Sequence, residues 1–565
     1  MNTADRTLCA WYFLPFRLAA AVLCGVIYFF ALPPWNWSAL ILLPVGGLLL
    51  CLAHLNWYER LLAGWMFGLG WALPGFWFLR EIHPAVPFGI APVLALWPAV
   101  WAWAAVSLLK HLLYPVHVRL DGEAAAAEYL PGALRRIFAS AVLAALWIIL
   151  EFSRSTMLPW NNLATAIWRY PRLLALVSVT GVTGAGFLIA HLSCSLVLAW
   201  RFRKKDKKQY ALWFGAVLPA VLLPSLVMVY RAQENAPEKV QKYRIAAIQG
   251  DISQRRNADS AQAFEALKIY LDMTREAVKL QPAPDVIVWP ETAVPYAFRG
   301  NHPVSGLYRQ ELLRIVRESG IPVLFGTIDF REFPAFSGHY LVTNSALLLT
   351  PSGIAARYDK IHRVPFGEYI PFRKWLPGSL VKAIDMNRDL LAGTDFAPVE
   401  LKPGIRAGMA ICFESVFPYV ARESVRQGAN MLLVISNDAW YPTSSEPEQH
   451  LANAVARAVE NGRYAVRCGN NGGTLLVAPD GSVSQVLTVP GSGLPELRRG
   501  RGIGVIEIPV PDAPGMTFYT RYGEWFTVLC GVLCFAGVLL TGWSFIAFRR
   551  ELLTRMEPAA PAPQP

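Results

Sequence analysis

Eight long apolar runs are the strongest constraint on this chain: Trp11–Leu32, Ser38–Ala53, Leu61–Leu79, Val86–Leu109, Ile137–Phe152, Leu173–Trp200, Ala211–Tyr230 and Trp525–Phe548. Crossing a bilayer takes about 20 apolar residues as a helix, because a helix satisfies its own backbone where there is no water. Seven runs precede a mixed stretch of alternating character and one follows it. The chain therefore reads as part membrane domain and part water-soluble domain. Its composition agrees: 16% of residues are charged, against about 25% in an ordinary soluble protein. The longest run, Leu173–Trp200, holds His191 as its only basic or acidic side chain. Ile137–Phe152 is the weakest, short and with Glu151 near its end, and a buried or interfacial helix is the competing reading there. The first run is too long, and too well followed by others, for a cleaved signal peptide.

Eight crossings put both termini on one side, and Lys and Arg select the cytoplasmic one. With the N-terminus inside, the inner loops hold Lys110, Arg119, Arg135 and Arg136, the basic cluster Arg201–Lys208, and the Arg549-Arg550 pair. Ser153–Arg172 is the exception, an outer loop with Arg154, Arg169 and Arg172. The expected organisation is a membrane domain over residues 1–230, an external domain over 231–523, a last span over 524–548 and a cytoplasmic tail over 549–565. The net charge of +12 is then largely topogenic and suits anionic lipid. The external domain has no aromatic-studded basic face, so nucleic acid is not an expected partner. Of the eight cysteines, only Cys412 and Cys468 lie in that domain. No disulfide framework or metal-type spacing is present. A Cys412–Cys468 disulfide in an oxidising compartment is the one pairing to weigh, and it would remove a nucleophile.

Within the external domain, Tyr243–Gln249, Asp285–Trp289, Pro322–Thr327, Leu341–Leu349, Arg406–Cys412 and Met431–Ser436 read as strands. Ser260–Leu280, Ser305–Ser319, Pro418–Arg426 and Glu446–Asn461 read as helices, and Gly472–Val477 with Pro479-Asp480-Gly481 as a late hairpin. Strands alternating with helices argue for a layered α/β domain. Val364–Gly393 is a long segment combining Phe366, Tyr369, Phe372 and Trp375 with Arg373 and Lys374. It reads as a lid or membrane-touching arm, against an ordinary surface loop.

Three residue types in this domain suit acyl chemistry. Cys412 ends a predicted strand; a thiolate is a strong nucleophile toward carbonyls, but it needs a base or a lowered pKa. A lone Cys there is more often a small core residue. Glu291 ends Val286-Ile287-Val288-Trp289-Pro290-Glu291, where partial desolvation would suit a general base. Lys360 could stabilise an oxyanion together with the amide of Phe413, and Glu368 could orient Lys360 or act as a second carboxylate. His362 and His450 leave a Cys–His pair open.

These segments in this order resemble the nitrilase (carbon–nitrogen hydrolase) superfamily and, more closely, the apolipoprotein N-acyltransferases. The similar stretches are Ile248-Gln249-Gly250, Trp289–Ala293, Lys360–Pro371, Cys412-Phe413-Glu414, Ser436–Trp440, Gln449-His450 and Asn470-Asn471-Gly472, with Leu158-Pro159-Trp160 in the membrane part. The resemblance implies seven membrane helices, a periplasmic αββα sandwich and one last helix in the cell inner membrane, with both termini cytoplasmic. It implies Glu291, Lys360 and Cys412 as catalytic residues, with Glu368, Phe413 and Glu414 supporting them. It further implies transfer of an acyl chain from a phospholipid, typically phosphatidylethanolamine, through a Cys thioester to the amino group of a diacylglyceryl-cysteine apolipoprotein, with no cofactor or metal. Arg255–Ala258 and Tyr441–Glu448 depart from the family's pattern and bear on selectivity. A membrane-tethered amidase or nitrilase, and a scaffold with an inactive domain, are the alternatives; the presence of all three of Glu291, Lys360 and Cys412 weighs against the second.

Overall fold

A computed structural model describes residues 3–113, 118–120, 123–125, 132–202, 217–219, 222–227, 240–253, 260–332, 340–378, 381, 389–441, 444–484, 487, 500–512 and 514–556. The chain divides into two compact units. One comprises Met1–Ala166, Thr180–Leu226 and Glu524–Pro565; the other comprises Ile167–Val179 and Val227–Gly523.

Among the described residues, the regular structure of the first unit is helical apart from a small hairpin, β1 (Val118–Leu120) and β2 (Glu123–Ala125). Among the described residues, five helical segments are long and apolar enough to cross a membrane: Leu14–Ala31, Val86–Leu113, Leu134–Ser155, Val177–Arg201 and Trp525–Gly542. The expected count of eight is therefore not reproduced, and the reasons are local. Ser38–Ala53 breaks into a 3-10 turn, Ser38–Leu42, and a short helix from Pro44 to Cys51. Leu61–Leu79 belongs to a 19-residue helix, Trp57–Gly75, long enough to cross but opened by a polar first turn with Glu59 and Arg60 in an Asn56–Glu59 capping box. Ala211–Tyr230 lies mostly outside the described residues. Ile137–Phe152 gains length, because its helix extends from Gly132 to Ser155, which favours a span over an interfacial helix.

Arg154 also accounts for part of the charge exception. It is 3% exposed, and its guanidinium donates to the carbonyls of Leu158 and Trp160 at 3.1 and 2.7 Å. This charge folds a loop rather than facing the solvent that topology rules count.

The second unit is an αββα sandwich of two six-stranded sheets. Its first sheet is built from β3 (Val240–Gln249), β4 (Val286–Val288), β5 (Val323–Glu332), β6 (Tyr340–Thr350), β7 (Gly353–Asp359) and β14 (Gly502–Pro511), in the order β14-β3-β4-β5-β6-β7. The second contains β8 (Val399–Lys402), β9 (Ile405–Ile411), β10 (Met431–Ser436), β11 (Ala465–Gly469), β12 (Leu475–Val477) and β13 (Val483–Ser484), in the order β13-β12-β11-β10-β9-β8. Period-2 alternation divides each strand between two cores. In β4, Val286 and Val288 join Ile411, Leu433 and Val466 between the sheets. Ile287 and the following Trp289 instead face Leu267, Tyr270 and Tyr308, on helices Ser260–Ala277 and Pro303–Ser319. Helices Pro418–Arg426 and Glu446–Asn461 coincide with their sequence expectations. The late hairpin is β12 with β13. Strands β7, β8, β11 and β14 carry too little uninterrupted apolar signal to have been expected; their partners create them.

β3, β4 and β5 run parallel, as do β9, β10 and β11. Their carboxyl ends, with that of β7, collect the segments that begin at Glu291, Lys360 and Cys412. Loops beyond the carboxyl ends of parallel strands are the ordinary place for a site in an open α/β sheet.

Candidate active site

Glu291 is fixed by what precedes it. Trp289 stacks on Tyr270 and Tyr308 at 5.0 and 5.8 Å and donates to Thr274 Oγ1 at 3.0 Å. The chain then turns over Gly326, where a side chain would collide with the backbone of Pro290 and Glu291. Lys360 follows β7 directly and is 1% exposed. Its Nζ lies 3.2 Å from Glu291 Oε1 and 2.9 Å from Glu368 Oε1. Asn344 Nδ2 donates to the same two oxygens, at 2.7 and 2.8 Å. Glu368 Oε2 accepts from Val364 N at 2.8 Å, which ties the start of the long arm to the site.

Cys412 follows β9 directly and opens the 3-10 turn Cys412–Val416. Its φ is +53°, a left-handed conformation that costs a non-glycine residue about 1–2 kcal/mol. Such strain persists only where the surroundings impose it. Cys412 and Cys468 are both free thiols. Cys468 lies in the core between the sheets, where its Sγ donates to Val288 O at 3.4 Å. That is a packing role, and the competing disulfide falls away.

The charges define protonation states. Burial opposes a charge on Lys360, but Glu291 and Glu368 outweigh it and hold the ammonium well above the usual lysine range. Lys360 is thus a fixed cation and not a base. Burial and the Glu291 carboxylate push the Cys412 thiol up, by more than Lys360 lowers it. At rest Cys412 is a thiol, and a thiol that attacks a carbonyl needs a proton acceptor. Glu291 is the carboxylate whose charge it feels most. Burial and Lys360 also keep His362 neutral, its imidazole lowered to about 4.

Residues 24–195 match the apolipoprotein N-acyltransferase N-terminal domain, and residues 244–489 match the carbon–nitrogen hydrolase domain. An apolipoprotein N-acyltransferase of Geobacter metallireducens is 33% identical over 72% of this chain and 74% of its own length. One from Pseudomonas syringae pv. tomato is 30% identical over 94% and 96%. The chain belongs to the apolipoprotein N-acyltransferase family. Among solved structures, Saccharomyces cerevisiae Nit3, a member of the nitrilase superfamily, is 19% identical and covers 50% of this chain and 95% of its own, with a TM-score of 0.35.

The supporting residues divide. Glu368 joins the Glu291–Lys360 pair directly. Phe413 is half-buried, packed edge-on to Phe417 at 5.1 Å and against the His362 ring at 5.9 Å. Glu414 does not join that cluster. It is a brace, accepting from the backbone N–H groups of Ile411, Ile361 and His362 at 2.8, 2.6 and 3.0 Å and from the Tyr358 hydroxyl. It thereby links the end of β9 to the end of β7, and so Cys412 to Lys360. Burial drives its carboxyl up to about 7, although the donors at Ile411, His362 and Ile361 pull the other way.

Asn344 had no role in the sequence reading. Its signal is a polar triplet, Thr343-Asn344-Ser345, inside an otherwise apolar strand. Asp438, His450 and Arg467 were also missed as a group. The Cys412 thiol, an Asp438 oxygen and a His450 nitrogen lie within 4.8 Å of one another, close enough to invite a metal ion. The donor set does not fit one well, because Arg467 pairs directly with Asp438 and lies 3.4 Å from His450 Nδ1. A guanidinium there repels a cation. His450 Nε2 faces the Cys412 carbonyl and Ser415 Oγ, at 3.0 and 2.8 Å, and makes no hydrogen bond to the thiol among those described.

Proposed function

We propose that this protein transfers an acyl chain from a phospholipid, through a thioester on Cys412, to the amino group of a diacylglyceryl-cysteine apolipoprotein. One observation carries the reading: in a chain of this family, a buried ammonium flanked by two carboxylates sits in the same site as a protonated thiol at a strand end. In the first half-reaction, Glu291 takes the Cys412 proton as Sγ attacks the ester carbonyl. The oxyanion develops toward Lys360 Nζ and the Phe413 amide. Collapse breaks the ester C–O bond, and Glu291 returns the proton to the departing lysophospholipid. In the second, the lipoprotein amine attacks the thioester and gives a proton to Glu291. Collapse then breaks the C–S bond and the thiol is restored. Phosphatidylethanolamine is the proposed donor, and the kinetics are ping-pong.

The proposed setting is the inner membrane, with seven spans before the catalytic unit and one after it, that unit in the periplasm and both termini in the cytoplasm. On the arm that begins at Val364, Phe372 and Trp375 stack at 5.6 Å and are 71% and 81% exposed. Two exposed stacked rings beside Arg373 and Lys374 suit a lipid interface.

Purified full-length enzyme incubated with labelled phospholipid should carry a hydroxylamine-sensitive acyl group on Cys412. Addition of a diacylated lipopeptide should move that group onto the peptide amine. Fatty-acid release without peptide acylation would make the protein a hydrolase. An impermeant amine reagent added outside should label Lys242, whose side chain is 81% exposed, and spare Lys204; the reverse pattern would overturn the orientation.

A further inference from the structure

The carbonyl of the nucleophile itself is held by a buried charge network that the transfer steps above leave unused. Cys412 O lies 3.0 Å from His450 Nε2 and accepts from Ser415 Oγ at 3.0 Å, and Ser415 Oγ in turn lies 2.8 Å from the same Nε2. A carbonyl oxygen only accepts, so Nε2 carries the proton that it donates. On the other side of the ring, Nδ1 lies 3.2 Å from Asp438 Oδ1 and 3.4 Å from Glu446 Oε1. Arg467 pairs with Asp438 and donates to the carbonyls of Gly472 and Gly473 at 3.0 and 2.8 Å. Ser436 Oγ donates to Asp438 at 2.6 Å. Gly472 has φ +75°, and a side chain there would strike the Asp438 carboxylate. Asp438, His450 and Arg467 are each 1% exposed. Burying so much charge is costly unless every group is paired, and on the side of the nucleophile the network reaches the Cys412 oxygen.

That atom matters because a peptide unit is planar and trans. The Cys412 carbonyl and the Phe413 N–H belong to one rigid plane and point in opposite directions. A bond that fixes the carbonyl therefore aims the N–H. Without an outside hold, the strained φ at Cys412 would relax and rotate that plane.

We propose that His450, oriented by Asp438 and Arg467, is a positioning residue: it clamps the Cys412 carbonyl and so aims the Phe413 N–H at the oxyanion of the acyl-transfer steps. This rests on the reading of Cys412 as the nucleophile. The clamp acts on the oxyanion and not on the thiol, which separates it from a role in general packing.

The experiment compares His450→Ala, His450→Gln and His450→Asn in the full-length enzyme. Two rates are read: acyl transfer to the lipopeptide, and alkylation of Cys412 by iodoacetamide, followed on its own peptide by mass spectrometry. Alkylation forms no oxyanion. In His450→Ala, kcat should fall on the order of 10²-fold, as when an oxyanion donor is misdirected. The donor KM should stay within about twofold and the alkylation rate within about threefold. Gln can place an N–H near the position of Nε2 and should recover most of kcat. Asn reaches only the position of Nδ1 and should not. Wild-type transfer in His450→Ala, transfer and alkylation falling together, or Asn matching Gln would each overturn the clamp. If the Ala variant does not fold, the comparison of Gln with Asn decides. Cys412→Ser keeps the two ideas apart: transfer by that variant sinks the nucleophile reading, whereas an inactive Cys412→Ser beside a fully active His450→Ala sinks only the clamp.

Discussion

Replacing Lys360 by Met removes one charge from a place where three meet. Lys360 Nζ lies 3.2 Å from Glu291 and 2.9 Å from Glu368, and the side chains are 2%, 8% and 11% exposed. Breaking a buried ion pair from one side costs about 3–5 kcal/mol, because the remaining charge has lost its compensation. Two carboxylates are left here, sharing the Asn344 amide, so the upper half of that range is expected. Catalysis should suffer separately if Lys360 is the proposed oxyanion partner, since loss of one lowers kcat by about 10²–10³-fold. The two losses come apart in the double variant Lys360→Met, Glu368→Gln. The second change removes the surplus carboxylate, but one amide oxygen cannot serve both Asn344 and Val364 as the two carboxylate oxygens do. About 1 kcal/mol of hydrogen bonding is forfeited, and about 2–3 kcal/mol of stability should return. Transfer activity should not return. Melting of the purified protein in detergent, followed by tryptophan fluorescence, measures the first effect; acylation of a diacylated lipopeptide measures the second. Wild-type melting in Lys360→Met, transfer within tenfold of wild type, or a double variant less stable than the single one would refute the reasoning.

Three further outcomes are expected. Glu291→Gln should lower kcat by about 10²–10⁴-fold, the usual worth of a general base, and should also slow alkylation of Cys412; unchanged alkylation would mean that another group accepts the thiol proton. His362 is lowered from 6.5 to about 4 by burial and by Lys360, so the folded state binds fewer protons than the unfolded state in that window, and stability should fall as pH drops from 6.5 toward 4. His362→Gln should flatten that limb of a Tm-against-pH curve, and an identical limb would remove His362 from the account. Cys468→Ala should leave transfer intact at a cost of about 1 kcal/mol in stability, whereas loss of transfer in a folded protein would give Cys468 a chemical role.

Much of the site was legible because its residues follow strands. Trp289-Pro290-Glu291 and Ile411-Cys412 each end a run of buried apolar residues, and that placement marks a sheet edge. Lys360 was less visible. Its strand, β7, alternates weakly over Gly353–Asp359 and exists because β6 offers an antiparallel edge. Glu414 reads as one more acidic residue beside Cys412; only the approach of β7 to β9 reveals that it braces the backbone. The membrane part shows the opposite bias. Hydropathy finds apolar runs, but the 3-10 turn ahead of Pro44 shortens one helix and the polar turn at Glu59 and Arg60 opens another, and Arg154 counts as a loop charge until its carbonyl partners are seen.

By itself, the sequence determined the division into apolar spans and a layered α/β domain, because hydropathy and period-2 alternation are local properties that any fold of this chain must respect. It also singled out Glu291, Lys360 and Cys412 as the candidate trio, through the chemistry of Glu, Lys and Cys at the ends of apolar segments. Tertiary structure alone decided what those groups are at rest. Lys360 remains an ammonium because two carboxylates from distant segments close around it, and Cys412 remains a thiol because its half-buried site and one of those carboxylates oppose its charge. The same holds for the left-handed turn at Cys412 and its hold by His450. Protonation and strain depend on what surrounds a group in space, and residues 291, 360, 368, 412 and 450 become neighbours only when the two sheets pack.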